Sequence, residues 1–174
     1  MVVRERRQDD LPGCTQLAHL VHEVDGYPPY LPGEISEFIQ SPDAITAWVA
    51  EDDGDLVGHV ALHSRSSRAV MDLAVAETRA RSAASEPFGV ISRLFVRPAT
   101  RRTGVGGALL QTAVTHAVGL GLFPVLDVVT HLQPAIRFYE ALGWTRAGKV
   151  TVPLPDGTSF DEIVYFAPSF TASP

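Results

Sequence analysis

The sequence predicts an α/β fold: a mixed, mostly antiparallel central sheet of roughly six or seven strands, flanked by about four helices. Three observations carry this reading. Strands come first and pair as hairpins around short polar turns. A strand–helix–strand–helix–strand succession follows. One late strand, Phe123–Val129, is apolar at nearly every position, as a strand covered on both faces must be. No internal repeat or linker divides the 174 residues. A single domain over residues 1–167 is expected, with Pro168–Pro174 as a frayed tail.

Taken in order, Val2–Arg6 suits a short first strand. Asp9 and Asp10 offer a helix N-cap, Pro12 sits in the first turn, and Leu11, Cys14, Ala18 and Val21 recur at helical spacing as far as about His22. Asp25–Tyr30 breaks this helix, and Gly33–Gln40 is a second short one. Ile45–Glu51 and Leu56–His63 form a hairpin around Asp52-Asp53-Gly54-Asp55, taken as a loop of about four residues. Ala69–Ala80 can be helical, with Val70, Leu73, Ala74 and Glu77 on one face, and Ser82–Glu86 suits a loop.

Phe88–Val96 is a central strand that Pro98 stops. Gly104–Val118 carries the strongest helical period, through Val105, Ala108, Leu109, Thr112, Ala113, His116 and Ala117. Gly119 and Gly121 end it. Pro134–Leu142 is a helix with proline in its first turn and Gly143 as its stop. Trp144–Pro153 and Phe160–Phe166 close the sheet around Pro155-Asp156-Gly157.

Composition narrows the function. The formal net charge is −6, which argues against nucleic acid as a partner. No stretch approaches the roughly 20 apolar residues that a membrane helix needs. No apolar run follows the N-terminal arginines, so neither a secretory signal nor an anchor is expected, and a cytoplasmic protein is. The lone Cys14 excludes an internal disulfide.

The segment Arg101-Arg102-Thr103-Gly104-Val105-Gly106-Gly107 lies between a strand and a helix. A helix start has unpaired N–H groups and partial positive charge, and glycines let a bound oxyanion come close. A phosphate or pyrophosphate site is the functional reading; a tight turn with solvated arginines is the structural one. The Walker pattern would need Lys and Ser/Thr where Ala108 and Leu109 stand. The dinucleotide pattern would need a small residue at Leu109.

The pattern that fits is R-x-x-G-x-G, as Arg101-x-x-Gly104-x-Gly106, preceded by Leu94-Phe95-Val96-Arg97-Pro98. It resembles the acetyl-CoA-binding motif of the GNAT family of N-acetyltransferases. Downstream, Phe138-Tyr139-Glu140-Ala141-Leu142-Gly143-Trp144 resembles the same family's F-Y-E-x-L-G-F/W segment. The resemblance spans roughly Val2 to Ala167 and is weakest over Ser64–Pro87.

It implies a GNAT-like fold with a splayed parallel pair of strands, and acetyl-CoA as the acyl donor. Leu94, Phe95 and Val96 would meet pantetheine, and the amides of Arg102, Thr103, Gly104, Val105, Gly106, Gly107 and Ala108, with Arg101 nearby, would hold the pyrophosphate. Transfer to an amine of a small molecule or an exposed peptide would be direct, with a tetrahedral oxyanion forming near a strand amide. Tyr139 would be the general acid for the leaving thiolate. Family members often dimerise. The alternative is a non-catalytic acyl-CoA-binding sensor or regulatory module.

Two departures from the family pattern stand out. Leu132 occupies a position where many members have Asn, and Gly89–Leu94 holds no carboxylate to act as base. Glu86, a side chain acting through water, or no dedicated base all remain open. Tyr27 and Tyr30 are candidates to wall the acceptor pocket, Asp25 or Glu23 to attract an ammonium, and His131 to touch substrate. His59 and His63 share a strand face; satisfied sheet histidines are favoured over zinc, and no metal is expected. His116 is assigned to structure and Cys14 to the core. Asp127, which interrupts an apolar strand, is read as hydrogen-bonded structure, with a functional carboxylate as the alternative.

Overall fold

A computed structural model describes residues 1–29, 35–80, 87–154 and 156–168. The elements are β1 (Val2–Glu5), α1 (Leu11–Asp25), α2 (Ile35–Ile39), β2 (Ala44–Asp52), β3 (Asp55–His63), α3 (Arg68–Ala80) and β4 (Phe88–Val96). They continue with α4 (Val105–Gly119), β5 (Phe123–Val129), α5 (Gln133–Ala141), β6 (Thr145–Pro153) and β7 (Ser159–Phe166). Among the described residues the seven strands run in the order β1-β2-β3-β4-β5-β7-β6. Neighbours β1–β2, β2–β3, β5–β7 and β6–β7 are antiparallel; β4 and β5 are the parallel pair.

The chain forms two compact units. The first comprises Met1–Ser64 and Ile91–Leu120. Its core gathers Leu11, Cys14, Leu17, Ala18 and Val21 of α1 with Ile35 and Ile39 of α2, Val49 of β2 and Phe95 of β4. The helical spacing in α1 therefore buries the face that the sequence predicts. Its start differs from expectation: the Asp10 side chain caps no amide of α1. Its carboxylate instead accepts the Arg7 N–H at 2.6 Å and a two-pronged bond from Arg4 at 2.7 and 2.9 Å. These partners draw its pKa down to about 2, with the Arg4 hydrogen bond the largest cause. A short 3-10 turn, Gln8–Asp10, leads into α1 for that reason.

The β2–β3 connection is tighter than predicted. Asp52 pairs with Asp55, which leaves only Asp53 and Gly54 between the strands, at φ +49° and +85°. Two successive positive φ values make the hairpin turn whose twist matches the strands, and Asp-Gly suits it.

The second unit comprises Arg65–Val90 and Gly121–Pro174. Phe88 and Val90 of β4, Val125 of β5, Phe166 of β7 and Ala74 of α3 form its core. The uncertain segment after β3 is thus helical, with Val70, Ala74 and Thr78 buried on one face. The loop expected at Ser82–Glu86, the start of the helix expected at Gly33, and the tail beyond Pro168 lie outside the described residues.

In the first unit α4 lies hard against β3. A Cβ added at Gly58 would stand 2.7 Å from Leu109 Cδ1 and 3.1 Å from Val105 Cγ1. Leu109 is fully buried, so its side chain can yield only by shifting within the packed core. Gly58→Ala is therefore expected to destabilise the protein by about 1–3 kcal/mol through overpacking. Urea-unfolding midpoints measure this. The pair Gly58→Ala with Leu109→Val should recover part of the loss; a Gly58→Ala protein as stable as the wild type would refute the close approach.

Candidate functional site

The first unit holds the predicted phosphate loop. After β4 the chain makes a 3-10 turn, Pro98–Thr100, and then enters α4. Gly104 is the N-cap residue, at φ +93°, ψ −9°. L-residues with a side chain rarely adopt this region, so glycine is needed for the reversal. Among the described residues no side chain caps the helix start, and the first helical bond runs from Ala108 N–H to Gly104 carbonyl at 3.0 Å. Val105, Gly106 and Gly107 therefore present first-turn amides that the helix itself cannot pair. A Cβ on Gly107 would meet nothing within 4 Å. Thr103 and Arg102 are exposed, and Arg102 adopts φ +63°. The Thr103 hydroxyl donates to Thr100 carbonyl at 2.8 Å.

The two arginines divide. Arg101 was expected to add charge beside the phosphate. Its guanidinium instead grips Asp25, the last residue of α1, with Nη1 donating to Oδ1 at 3.0 Å and Nη2 to Oδ2. Its Nε donates to Val96 carbonyl at 3.3 Å. Arg101 thus ties the end of β4 to the end of α1, and Asp25, a candidate to attract an ammonium, is ion-paired with it. Arg102 keeps an exposed side chain at the loop.

Of the strand residues, Phe95 is buried while Leu94 and Val96 are half-exposed. One feature of β4 gave no sequence signal. Arg93 has φ +53° in mid-strand, a left-handed residue of the kind that makes a β-bulge. Two histidines of β3 engage it. His59 Nδ1 lies 3.0 Å from Arg93 carbonyl, and the Arg93 guanidinium contacts the ring nitrogens of His63, 2.7 Å from Nδ1. The guanidinium also sits 4.7 Å over the Phe38 ring, which in turn meets Tyr27 edge-on at 6.1 Å. Tyr27 is half-buried there, and Tyr30 lies outside the described residues. Burial pushes His59 down to about 4 and His63 to about 3, so both rings are neutral at pH 7. Cys14 is fully buried, and burial raises its thiol to about 11, which removes it as a nucleophile. His116 packs edge-on against Trp48 at 5.2 Å, as a structural residue would.

The second unit holds Tyr139 and His131. Tyr139 is 8% exposed, set among Phe138, Trp144 and Tyr165 at 5.3, 6.1 and 6.3 Å. His131 lies in the exposed turn between β5 and α5. Leu132, where the family pattern has Asn, is the N-cap residue of α5 and caps no amide. Asp127 of β5 accepts a hydrogen bond from the Ser66 hydroxyl at 2.9 Å. The buried Glu162 of β7 stands against it, and burial first, then the Asp127 charge, raises its pKa far above the carboxylate range. This proton-holding pair went unseen because Glu162 looks like any strand glutamate. Glu86, one candidate base, falls outside the described residues.

These shifts fix how stability depends on pH. Between about pH 4 and 6.5 the unfolded chain binds protons that buried His59 and His63 refuse, so stability falls as pH drops through that window. His59 accounts for roughly 3 kcal/mol of this at 1.36 kcal/mol per unit. Glu162 works the other way: folded, it keeps a proton that the unfolded chain releases, so stability falls as pH rises above the ordinary carboxylate range. Above pH 7 the histidines are neutral in both states and the Glu162 trend remains, joined as pH approaches 9 by the buried Cys14 thiol, which also keeps its proton in the folded state. Glu162→Gln should flatten the loss of stability between pH 7 and 9, and His63→Gln should flatten the loss between pH 6.5 and 4. Denaturant midpoints across pH that move in parallel for variants and wild type would contradict both assignments.

The model of the Acetyltransferase (GNAT) family matches residues 13–144. Among solved structures, Arabidopsis thaliana NAA60 in complex with acetyl-CoA is similar at 23% identity, with 94% of this chain and 96% of that chain covered and a TM-score of 0.67. The Escherichia coli ribosomal-protein-S18-alanine N-acetyltransferase is similar at 17% identity, with 99% and 98% covered and a TM-score of 0.63. A ribosomal-protein-alanine N-acetyltransferase from Brucella melitensis is similar at 16% identity, with 95% and 98% covered and a TM-score of 0.67. The sheet order, the uncapped helix start at Gly104 and a family match over most of the chain converge: this protein belongs to the GNAT acetyltransferase family.

Proposed function

We propose that the protein is an N-acetyltransferase that takes its acetyl group from acetyl-CoA and passes it directly to an amine of a small molecule or an exposed peptide. The observation that carries the reading is the start of α4. Its first-turn amides have no side-chain cap among the described residues, Gly104 makes the reversal that exposes them, and a Cβ built on Gly107 would meet no described neighbour within 4 Å. Such a site suits a pyrophosphate, and the family supplies CoA as its bearer. Leu94, Phe95 and Val96 are the proposed contacts for pantetheine. Tyr27 and His131 are proposed for the acceptor.

The chemistry needs a neutral amine to attack the thioester and a proton for the departing thiolate. Tyr139 is the proposed donor, since a phenol hydroxyl carries a proton that a nascent thiolate can take. No carboxylate stands on β4 to take the amine's proton. An amine that reaches the site neutral needs no base before it attacks, and the proton its nitrogen sheds afterwards replaces the one Tyr139 gives to the thiolate.

Acetyl-CoA offered with a panel of amines should release free CoA. Tyr139→Phe should lower kcat about 10²-fold or more, with acetyl-CoA affinity within threefold. Unchanged turnover across pH would remove Tyr139 as the acid. Tight acetyl-CoA binding with no turnover of any amine would favour a non-catalytic acyl-CoA sensor. Gly107→Val should weaken CoA in calorimetry at least tenfold without unfolding the protein. Tighter binding of ATP or NAD than of CoA would overturn the whole reading.

A further inference from the structure

The left-handed Arg93 of β4 is held both at its backbone carbonyl and at its side chain. His59 has no exposed surface and stacks on the Phe95 ring at 5.0 Å, with 16° between the planes. The ring is locked in place. Its Nδ1 lies 3.0 Å from Arg93 carbonyl oxygen, which can only accept, so Nδ1 carries the hydrogen and Nε2 is the bare nitrogen. Nε2 is buried and has no hydrogen-bond partner among the described residues. A neutral ring spending its one N–H on a backbone carbonyl, with its other nitrogen unsatisfied, is not optimised for stability.

What it secures is the orientation of a peptide plane. Carbonyl and N–H of a planar trans peptide point in opposite directions. Fixing Arg93 carbonyl toward His59 therefore fixes Leu94 N–H away from it. The positive φ of Arg93 turns this plane away from the regular pleat. The Arg93 side chain is held as well, over Phe38 and against His63, so the residue before the amide cannot relax.

We propose that His59 is a positioning residue that aims the Leu94 amide at the carbonyl oxygen of the bound acyl group, where negative charge develops as the amine attacks. In that step the amine nitrogen bonds to the thioester carbon, the carbonyl electron pair moves onto oxygen, and the carbon–sulfur bond then breaks as the carbonyl reforms; the thiolate takes the proton that Tyr139 gives, and the proton the nitrogen loses replaces it. A preorganised N–H stabilises the oxyanion without having to reorient. This inference rests on the acetyl-transfer reading and adds a residue that the motifs do not contain.

The test compares His59→Asn, whose side-chain amide can place an N–H where Nδ1 stood, with His59→Leu, which cannot. Three readouts apply. Nitrogen-15 NMR of the His59 ring should show the Nδ1–H tautomer at pH 7; the Nε2–H tautomer overturns the proposal. The Leu94 amide resonance should move further on adding acetyl-CoA than on adding CoA, in wild type and His59→Asn but not in His59→Leu. No difference between the two ligands in the wild type overturns it. Finally, His59→Leu should lose about 10²-fold in kcat with KM for acetyl-CoA within threefold, and His59→Asn should recover most of it. Equal kcat in wild type and His59→Leu overturns it. If the wild type binds acetyl-CoA but acetylates nothing, the enzymatic reading fails, and the ring tautomer and Leu94 resonance still decide the role of His59.

Discussion

The constraint on which the first unit depends is how closely α4 can approach β3. At Gly58 there is no room for even a methyl group between Leu109 and the sheet. The contact falls in the first turns of α4, because Val105 is the other residue pressed there. A helix whose first amides are left unpaired would ordinarily fray at that end. Here Val105, Leu109, Leu110 and Ala113 are buried, so tertiary packing rather than capping keeps the open end in place. That is what a fixed set of amides requires if it is to meet an anion without rearranging first.

The same unit tolerates polar groups that a purely structural core would avoid. His59 and His63 are neutral because burial makes their protonation costly. A guanidinium sits among them, steadied by an aromatic face. All three side chains converge on one residue of β4 with an uncommon φ. A left-handed arginine in mid-strand costs about 1–3 kcal/mol and persists only when its surroundings over-determine it. The convergence of His59, His63 and Phe38 supplies that, and it lies one residue from the strand amides proposed to meet the cofactor.

Much of this was legible from residue type and spacing. Leu11, Cys14, Ala18 and Val21 announced a buried helical face because α1 has a true apolar stripe. Gly104 announced the helix start because only its backbone suits φ +93°. The segment after β3 was harder, since α3 buries Ala74 and Thr78, small residues that barely register as apolar. The hairpin turn was read too long because a run of Asp residues hid where pairing stops. Three features carried no local signal at all. Arg93 takes a conformation that spacing does not encode. Arg101 and Asp25 are 76 residues apart in sequence. Glu162 becomes a buried acid only through its neighbour across the strands. In each case a long-range contact decides the state of a residue that is ordinary by itself.

The glycines show how far a residue's reason can be traced within the chain. Gly58 is explained by packing, since any side chain would strike Leu109. Gly104 is explained by backbone geometry, since its φ excludes ordinary residues. Gly107 has neither explanation. It lies inside α4 with open space where its side chain would be. Glycine within a helix is less favourable than alanine by about 1 kcal/mol, so the helix gains nothing from it. The proposed function supplies a reason from outside the chain: a ligand that comes closer to that turn than a methyl group would allow. A diphosphate lying along unpaired amides has that requirement, so the open glycine in the first turn of α4 bears on the proposed ligand more directly than the strained Gly104, whose own backbone already accounts for it.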